Sequence, residues 1–313
     1  MAKEKIVHKS KGRAGRFTLE NIIFTTVLYV VLLALCVAML YPMLNTLAIA
    51  LNDGVDSIRG GLHIWPRQFT LSNFRTVLQL HTITNAFFIS VARTVVGVIT
   101  NVVATSMVAY AISRKEFVFA KFIAVVFILT MYFDAGLIPG FMNIRRLGLL
   151  NTFAVYWVPG FVAAFNLIIL RTFIKDISEE LIESAKLDGA GDFRVYWQII
   201  MPLCKPVLAT VALFVAVGHW NAWFDAFLFN QQRPDLSTLQ NELQILLRSA
   251  MAIGQGQAGG AAGANMAAMG VTVTTPIAIQ ATVTIVAAVP ILVVYPFLQR
   301  YFVAGMQLGG VKG

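Results

Sequence analysis

Charge is scarce in this chain. Of 313 residues only 12% are Asp, Glu, Lys or Arg, while 58% are hydrophobic and the mean hydropathy is +0.74. A soluble domain carries about 25% charged residues. Half that supply cannot cover a soluble globule of this size, which excludes a cytosolic enzyme, a secreted domain or a disordered chain and leaves a protein that uses lipid as solvent. Cysteine is almost absent. Cys36 lies in an apolar run and Cys204 in a basic loop, so neither a disulfide framework nor a metal site is indicated, and both read as small apolar fillers. His8, His63, His81 and His219 are scattered without metal-ligand spacing. No G-x-x-x-x-G-K-[ST] occurs, so the chain has no P-loop for ATP. A formal G-x-G-x-x-G at Gly254, Gly256 and Gly259 neither follows a strand pattern nor opens a βαβ unit, and fails as a dinucleotide motif. With no nucleophile–base set either, the chain is not an enzyme by itself: it has no catalytic residues and no metal ligands.

What the chain does have is long apolar runs. A helix needs about 20 mainly apolar residues to cross the hydrocarbon core, and six stretches qualify: 21–52, 85–112, 122–141, 153–170, 207–229 and 277–298. The only charges inside them are Arg93, Asp134 and Asp225. The expected fold is all-α and polytopic, with about six transmembrane helices spread over 21–313 behind a basic segment, 1–20. That segment resembles the start of a signal peptide, but the following run is too long for a signal core, so it is read as an uncleaved anchor. The net charge of +9 would suggest nucleic acid in a soluble protein. Here it reads as charge sorting across a bilayer. With the N-terminus cytoplasmic, 16 of the 24 Lys and Arg fall in inner segments and seven in outer ones, so both termini are expected inside. Arg145 and Arg146 sit on the disfavoured side. They could attract an anionic sugar, contact a binding protein or touch lipid headgroups.

Two outer segments have character. In 53–84, Trp65-Pro66 suits an interface turn and Ser72 could cap a short surface helix. Residues 249–270 are rich in Gly, Ala, Met and Gln, which permits either a flexible loop or close helix packing.

The longest inner loop, 175–205, has the pattern of a helix–turn–helix. Ser178 can cap a helix whose first turn carries Glu179 and Glu180, favourable against the helix dipole. Asp188-Gly189 breaks it, Asp192 can cap the next helix, and Pro202 ends that one or marks the entry into the fifth span. Leu181, Ala185 and Leu187 before the turn, with Phe193, Tyr196 and Trp197 after it, make an amphipathic elbow. Such an elbow is either a connecting hairpin or a docking knob for a cytoplasmic partner.

Glu183-Ser184-Ala185-x-x-x-Gly189, followed after nine residues by Ile199-x-Met201-Pro202, resembles the E-A-A-x-x-x-G coupling loop of ABC-importer permeases. Ser184 and Met201 are its conservative departures. Phe69-Thr70-Leu71-Ser72-Asn73-Phe74 and Trp220-Asn221-Ala222-Trp223-Phe224 are similar to motifs of the carbohydrate-uptake type. Gly136-Leu137-Ile138-Pro139, Leu147-Gly148-Leu149-Leu150-Asn151-Thr152 and the tail from Gln299 to Gly313 resemble a branch linked to polysaccharides and uronate oligosaccharides. The resemblance implies a permease subunit in the bacterial cytoplasmic membrane. It would pair with a second permease, two ATP-binding subunits and an extracytoplasmic substrate-binding protein. ATP and Mg would be held on the partner ATPases, and this chain would carry no cofactor. Glu183, Ser184, Ala185, Asp188, Gly189, Ala190, Phe193 and Pro202 are the implied ATPase-coupling residues. Gly189 would be needed for a conformation or a clearance that a side chain denies.

The implied cargo is an oligosaccharide, with an acidic, alginate- or pectin-like one preferred to a neutral one. Polar groups within spans are costly and usually face a partner or a wet cavity. Trp220, Asn221, Trp223 and Asp225 form a polar-aromatic patch that suits a carbohydrate path, with Tyr132 and Asn166 as further candidates. Alternatively, the two Trp belong to an interface belt and Asp225 pairs with Arg93 or with the partner permease. Two rivals differ in class. An ion-driven secondary transporter needs midplane charges or broken helices in repeated halves, and a membrane scaffold would dock without transporting.

Overall fold

The computed structural model describes the backbone of residues 19–254 and 275–309, and the side chains of 21–249 and 275–296. The described residues are helical with no strand, as the apolar runs predict. The motif at Gly256 and Gly259, most of the Gly/Ala-rich stretch and the last four residues lie outside them.

Among the described residues, three helices are long and apolar enough to cross a bilayer alone: Asn21–Ala50 within α1 (Leu19–Ala50), α4 (His81–Ser113) and Pro276–Pro296 within α14 (Pro276–Gly309). Helix α1 is uniformly apolar and almost wholly exposed, touching the rest of the molecule mainly along α14. A helix apolar all round is stable in lipid, where it needs no polar face.

Helix α4 is patterned inside out. Ser90, Arg93, Gly97, Asn101, Ala104 and Thr105 recur at helical spacing on its buried face, and Phe88, Val95, Ile99 and Met107 on its exposed one. In lipid, association gains little from burying Leu or Val, so small and hydrogen-bonding residues line the contact instead. Several of these buried polar groups tie α4 to other parts of the chain. Ser90 Oγ accepts from Leu239 N at 2.8 Å, Asn101 Nδ2 donates to Gly160 O at 2.7 Å, and Ser106 shares a 2.8 Å bond with the Tyr196 hydroxyl.

The other expected spans are interrupted. The third is a 13-residue helix, α5 (Ala120–Tyr132), and a second one, α6 (Leu137–Arg146), parted where Asp134 Oδ1 accepts from Gly136 N at 3.1 Å and Gly136 takes φ +82°. The fourth begins with a 3₁₀ turn, Phe153–Tyr156, crosses Pro159-Gly160 without helix, and becomes regular only in α7 (Ala164–Lys175). The fifth divides at Ala222-Trp223 into α11 (Lys205–Asn221) and α12 (Phe224–Phe229).

Between α7 and α11 lie α8 (Glu179–Leu187), α9 (Asp192–Val195), a π-turn at Tyr196–Ile200 and α10 (Met201–Leu203). The stretch Asp192–Leu203 meets α11 at 81°. The break falls at Cys204, between Pro202 and Pro206, each of which withholds an N–H from the helical ladder. Of its two expected places, Pro202 therefore takes the second: it marks the bend into the fifth span.

At the opposite end, α2 (Gly54–Ile58) and α3 (Ser72–Gln79) form a cap over α1. Asn73 is fully buried and donates to Ala50 O at 3.0 Å and Asn52 O at 2.7 Å, closing the C-terminus of α1. Thr70 Oγ1, which accepts from Ser72 N at 3.1 Å, takes the capping role expected of Ser72. Helix α13 (Leu239–Gly254) occupies part of an expected outer loop; Leu239 and Leu246 bury it against α4 and α14.

Candidate functional site

Two places concentrate unusual chemistry: the elbow and a polar cavity between α4, α7 and α11.

In the elbow, α8 ends in a Schellman motif. Gly189 N donates to Lys186 O at 3.0 Å and Ala190 N to Ala185 O at 2.9 Å, with Gly189 at φ +81°. Only glycine takes that conformation without steric cost. A Cβ on Gly189 would meet nothing within 4 Å, so the requirement is conformational and not one of clearance within this chain. Ser178 occupies the N-cap position of α8 but makes no side-chain capping bond. Asp192 is the first residue of α9 and caps nothing; Gly191 precedes it as the cap residue. Its carboxylate turns back to Lys186 at 3.3 Å, and Lys186 also bonds Glu116 at 3.0 Å. Lys115 pairs with Glu179. These exposed bridges tie both ends of α8 to the loop after α4. Hydrogen bonds to Glu116 and then Asp192 raise the Lys186 pKa, and the one to Glu179 raises that of Lys115.

The amphipathic reading of the elbow resolves residue by residue. Ile182, Val195, Tyr196 and Ile200 are buried in a core shared with α4, α7 and α11, and Ala185 and Ala190 pack against it. Leu187 is 89% exposed and Phe193 70% exposed, with Leu181 and Trp197 also exposed. Glu183, Ser184 and Asp188 are exposed beside them. Tyr196 thus anchors the elbow, while its neighbours present an exposed apolar surface.

The cavity, about 670 Å³, is lined by Asn101, Asn143, Tyr156, Asn166, His219 and the ion pair of Arg93 with Asp225, among others. Arg93 is almost fully buried in α4. Its Nη1 donates to Asp225 Oδ1 and to Ala222 O, both at 3.1 Å, and its Nη2 bonds Asp225 Oδ2. The guanidinium lies 4.4 Å from the centre of the Tyr156 ring. This one side chain compensates the broken helix: it neutralises the carboxylate of α12 and satisfies a carbonyl that α11 leaves free at its end.

The expected substrate-path residues part company here. Asp225 and Asn166 line the cavity, and Asn166 Nδ2 approaches Asn101 Oδ1 at 3.5 Å. Trp220 does not line it. Its ring is buried against Phe87, and its Nε1 donates to Ala287 O at 2.9 Å, joining α11 to α14. Trp223 packs on Phe224 and Phe227, with the Arg248 guanidinium 5.4 Å from its ring centre. Asn221 and Tyr132 are exposed away from the cavity wall, and so are Arg145 and Arg146 in the last turn of α6. Asn101, Asn143 and His219 were not singled out by sequence. The polar repeat along α4 was the available signal for Asn101, and for His219 the fact that it is an ionisable group within a span.

Residues 116–308, which include the elbow, the cavity-lining part of α11 and most of α14, match the family described as binding-protein-dependent transport system inner membrane component. The chain belongs to that family. It is an inner-membrane transport component and not an enzyme, and the resemblance to transport permeases extends over more than nine-tenths of its length. The polygalacturonan/rhamnogalacturonan transport system permease protein YtcP of Bacillus subtilis (strain 168) is 31% identical over 94% of this chain and 100% of its own. Protein LplC of the same organism is 33% identical over 100% of both chains. In a crystal structure of a bacterial ABC transporter involved in the import of the acidic polysaccharide alginate, one chain matches with a TM-score of 0.82. It is 25% identical, and the match covers 92% of this chain and 99% of that one.

Proposed function

We propose that this permease carries acidic oligosaccharides, alginate- or pectin-like, across the bacterial inner membrane. The observation that carries the reading is a shared cargo chemistry. Both the 31% identical polygalacturonan relative and the solved alginate importer handle uronate-rich polymers, and both match over nearly their full length. In this reading the chain crosses six times, with three crossings made of interrupted helices, and both termini are cytoplasmic. Residues 21–313 form the transmembrane domain behind the basic segment 1–20.

The elbow faces the cytoplasm and docks into one of two ATP-binding subunits, which hold ATP and Mg; this chain holds no cofactor. Phe193 and Leu187 supply the apolar contact, Glu183, Ser184 and Asp188 its polar rim, and Gly189 the turn. Ala185, Ala190 and the Pro202 bend join this knob to α11, so that closure of the ATPases rotates α11 and reshapes the cavity at its far end. A second permease completes the path, and a binding protein delivers the sugar. Asn101, Asn166, His219 and Asp225 form this subunit's wall of the path, with Asn221 and Tyr132 facing the partner permease, and Trp220 and Trp223 hold the wall in place.

A neutral cargo has one specific observation in its favour. The cavity's arginine is already neutralised by Asp225, which leaves amides and an imidazole that suit hydroxyl groups equally well. ATP hydrolysis by the reconstituted four-subunit importer with its binding protein separates the readings. Stimulation by uronate oligosaccharides and not by neutral ones supports the acidic cargo, the reverse pattern transfers the cargo to neutral sugars, and no stimulation by any sugar removes the oligosaccharide reading.

A further inference from the structure

A second cavity, about 600 Å³, lies at the elbow end of the molecule, between the end of α4, the start of α5, the end of α7 and the start of α8. Arg114, Lys115, Lys121, Arg171 and Lys175 line it, with Glu179 as the one carboxylate among its lining residues. Glu179 is engaged by Lys115, and Arg171 Nε donates to Ile112 O at 3.3 Å. Five cations and one carboxylate leave the lining net positive, with Glu183 also acting on Lys115 and Arg114 on Glu116 beyond it. An anion in the cavity would offset that charge.

The surroundings indicate which anion. The rim continues directly into an apolar, unpartnered surface. Val118 is 86% exposed, Phe122 68% and Phe119 63%, and Val125, Val126 and Leu129 extend the exposed face along α5. A small soluble anion has no use for that shoulder. A molecule with a phosphate head and hydrocarbon tails fits both parts: the head between the lysines and arginines, the tails along α5. Basic pockets beside spans on the cytoplasmic side are where anionic headgroups bind.

We infer that this cavity binds the phosphate headgroup of an anionic phospholipid of the inner leaflet, such as phosphatidylglycerol or cardiolipin. The site adjoins the elbow. A phosphate there shares Lys115 with Glu179, in the first turn of α8, so the bound lipid bears on how firmly the elbow helix is held. This goes beyond the cargo assignment and does not depend on it; it rests only on the elbow facing the cytoplasm, as proposed above.

The test uses the complete importer in nanodiscs of phosphatidylcholine containing a minority of phosphatidylglycerol, with photoreactive versions of each lipid. The expected result is labelling of peptides covering 113–122 and 171–179 by the phosphatidylglycerol probe well above the phosphatidylcholine probe. At about fivefold per cation near the surface, Lys121→Gln with Lys175→Gln should lower that preference roughly 30-fold. Both side chains are exposed, so the fold should survive, and Lys121→Arg with Lys175→Arg should keep the preference. Equal labelling by the two probes would overturn the inference, as would an unchanged preference in the glutamine variant. Displacement of the lipid probe by millimolar inorganic phosphate would reassign the site to a soluble anion. Labelling that emerges only once the ATPase subunits are stripped would give it to the protein interface.

Discussion

The imidazole of His219 in α11 occupies the space in which a side chain on Gly97 of α4 would begin. A Cβ at position 97 would stand 2.3 Å from Nε2 and 2.6 Å from Cδ2 of His219. Glycine in mid-helix costs about 0.5–1 kcal/mol relative to alanine, so in the absence of this contact Gly97→Ala would stabilise α4. The ring contact reverses the sign. Overpacking of this kind costs about 1–3 kcal/mol, and Gly97→Ala should lower the melting temperature of the purified importer. Adding His219→Ala should restore it. A melting temperature that rises in the single variant would mean that the two helices do not approach in this way.

Arg93 and Asp225 lead to a sharper asymmetry. Removing one partner of a buried pair leaves an uncompensated charge, at about 3–5 kcal/mol. Asp225→Ala should fall near the lower end, because Ala222 O and the Tyr156 ring still hold the guanidinium. Arg93→Met combined with Asp225→Leu should recover most of the loss. The double variant removes the charges from the cavity without unfolding it, so its sugar-stimulated ATPase activity reports whether the pair touches cargo or only holds the break between α11 and α12. Equal destabilisation by the single and double variants would contradict the geometry.

Gly189 makes a prediction about order. Its φ of +81° with open space around a Cβ means that substitutions are penalised by backbone strain alone within this chain. Alanine should cost about 1–2 kcal/mol and asparagine less, since Asn visits the left-handed region more readily. Valine, β-branched, should be worst. Transport-coupled ATP hydrolysis should follow the order Gly, Asn, Ala, Val. If alanine matches glycine while valine fails, size at the ATPase interface decides, and not the turn.

Much of this was legible in the chain, and the illegible part has a physical cause. Unbroken apolar runs identify α1 and α4 to within a few residues, and the start of α14, which continues past the expected 298 to Gly309, because a lipid-facing helix needs only length and hydrophobicity. The elbow was readable from Gly189 and its acidic first turn, since caps and turns are local. The breaks at Gly136, Pro159 and Ala222 were not, because hydropathy is indifferent to whether a run is one helix or two. At Ala222 the compensation comes from Arg93, 129 positions away in the chain. Trp220 stayed ambiguous for a related reason: an aromatic beside a polar residue reads the same whether it faces a sugar or, as here, donates to Ala287 across a helix contact. Helix α13 was hidden by the Gly-rich stretch after it, although Leu239, Leu243 and Leu246 carry the helical spacing.

The bridges of Lys186 set a pH window for the elbow. Glu116 is held below its usual pKa by its own backbone N–H and by Lys186, so its contribution is present above about pH 4.5 and is lost as the pH falls through its lowered folded value. Lys186 is raised above its usual 10.5 by Glu116 and then Asp192, so its contribution is present below that pH and is lost as the pH rises through the raised value. Between those limits both bridges stand. Amide exchange at Ala190 and Val195, corrected for its intrinsic pH dependence, should therefore be flat through the neutral range. Lys186→Met should speed it there, and the difference from wild type should shrink in acid below the Glu116 transition, where the Asp192 bridge remains, and be lost in alkali above the raised Lys186 value. A step near neutrality would have to come from another group, and an unchanged exchange rate in Lys186→Met would show that the buried anchor Tyr196 holds the elbow without these bridges.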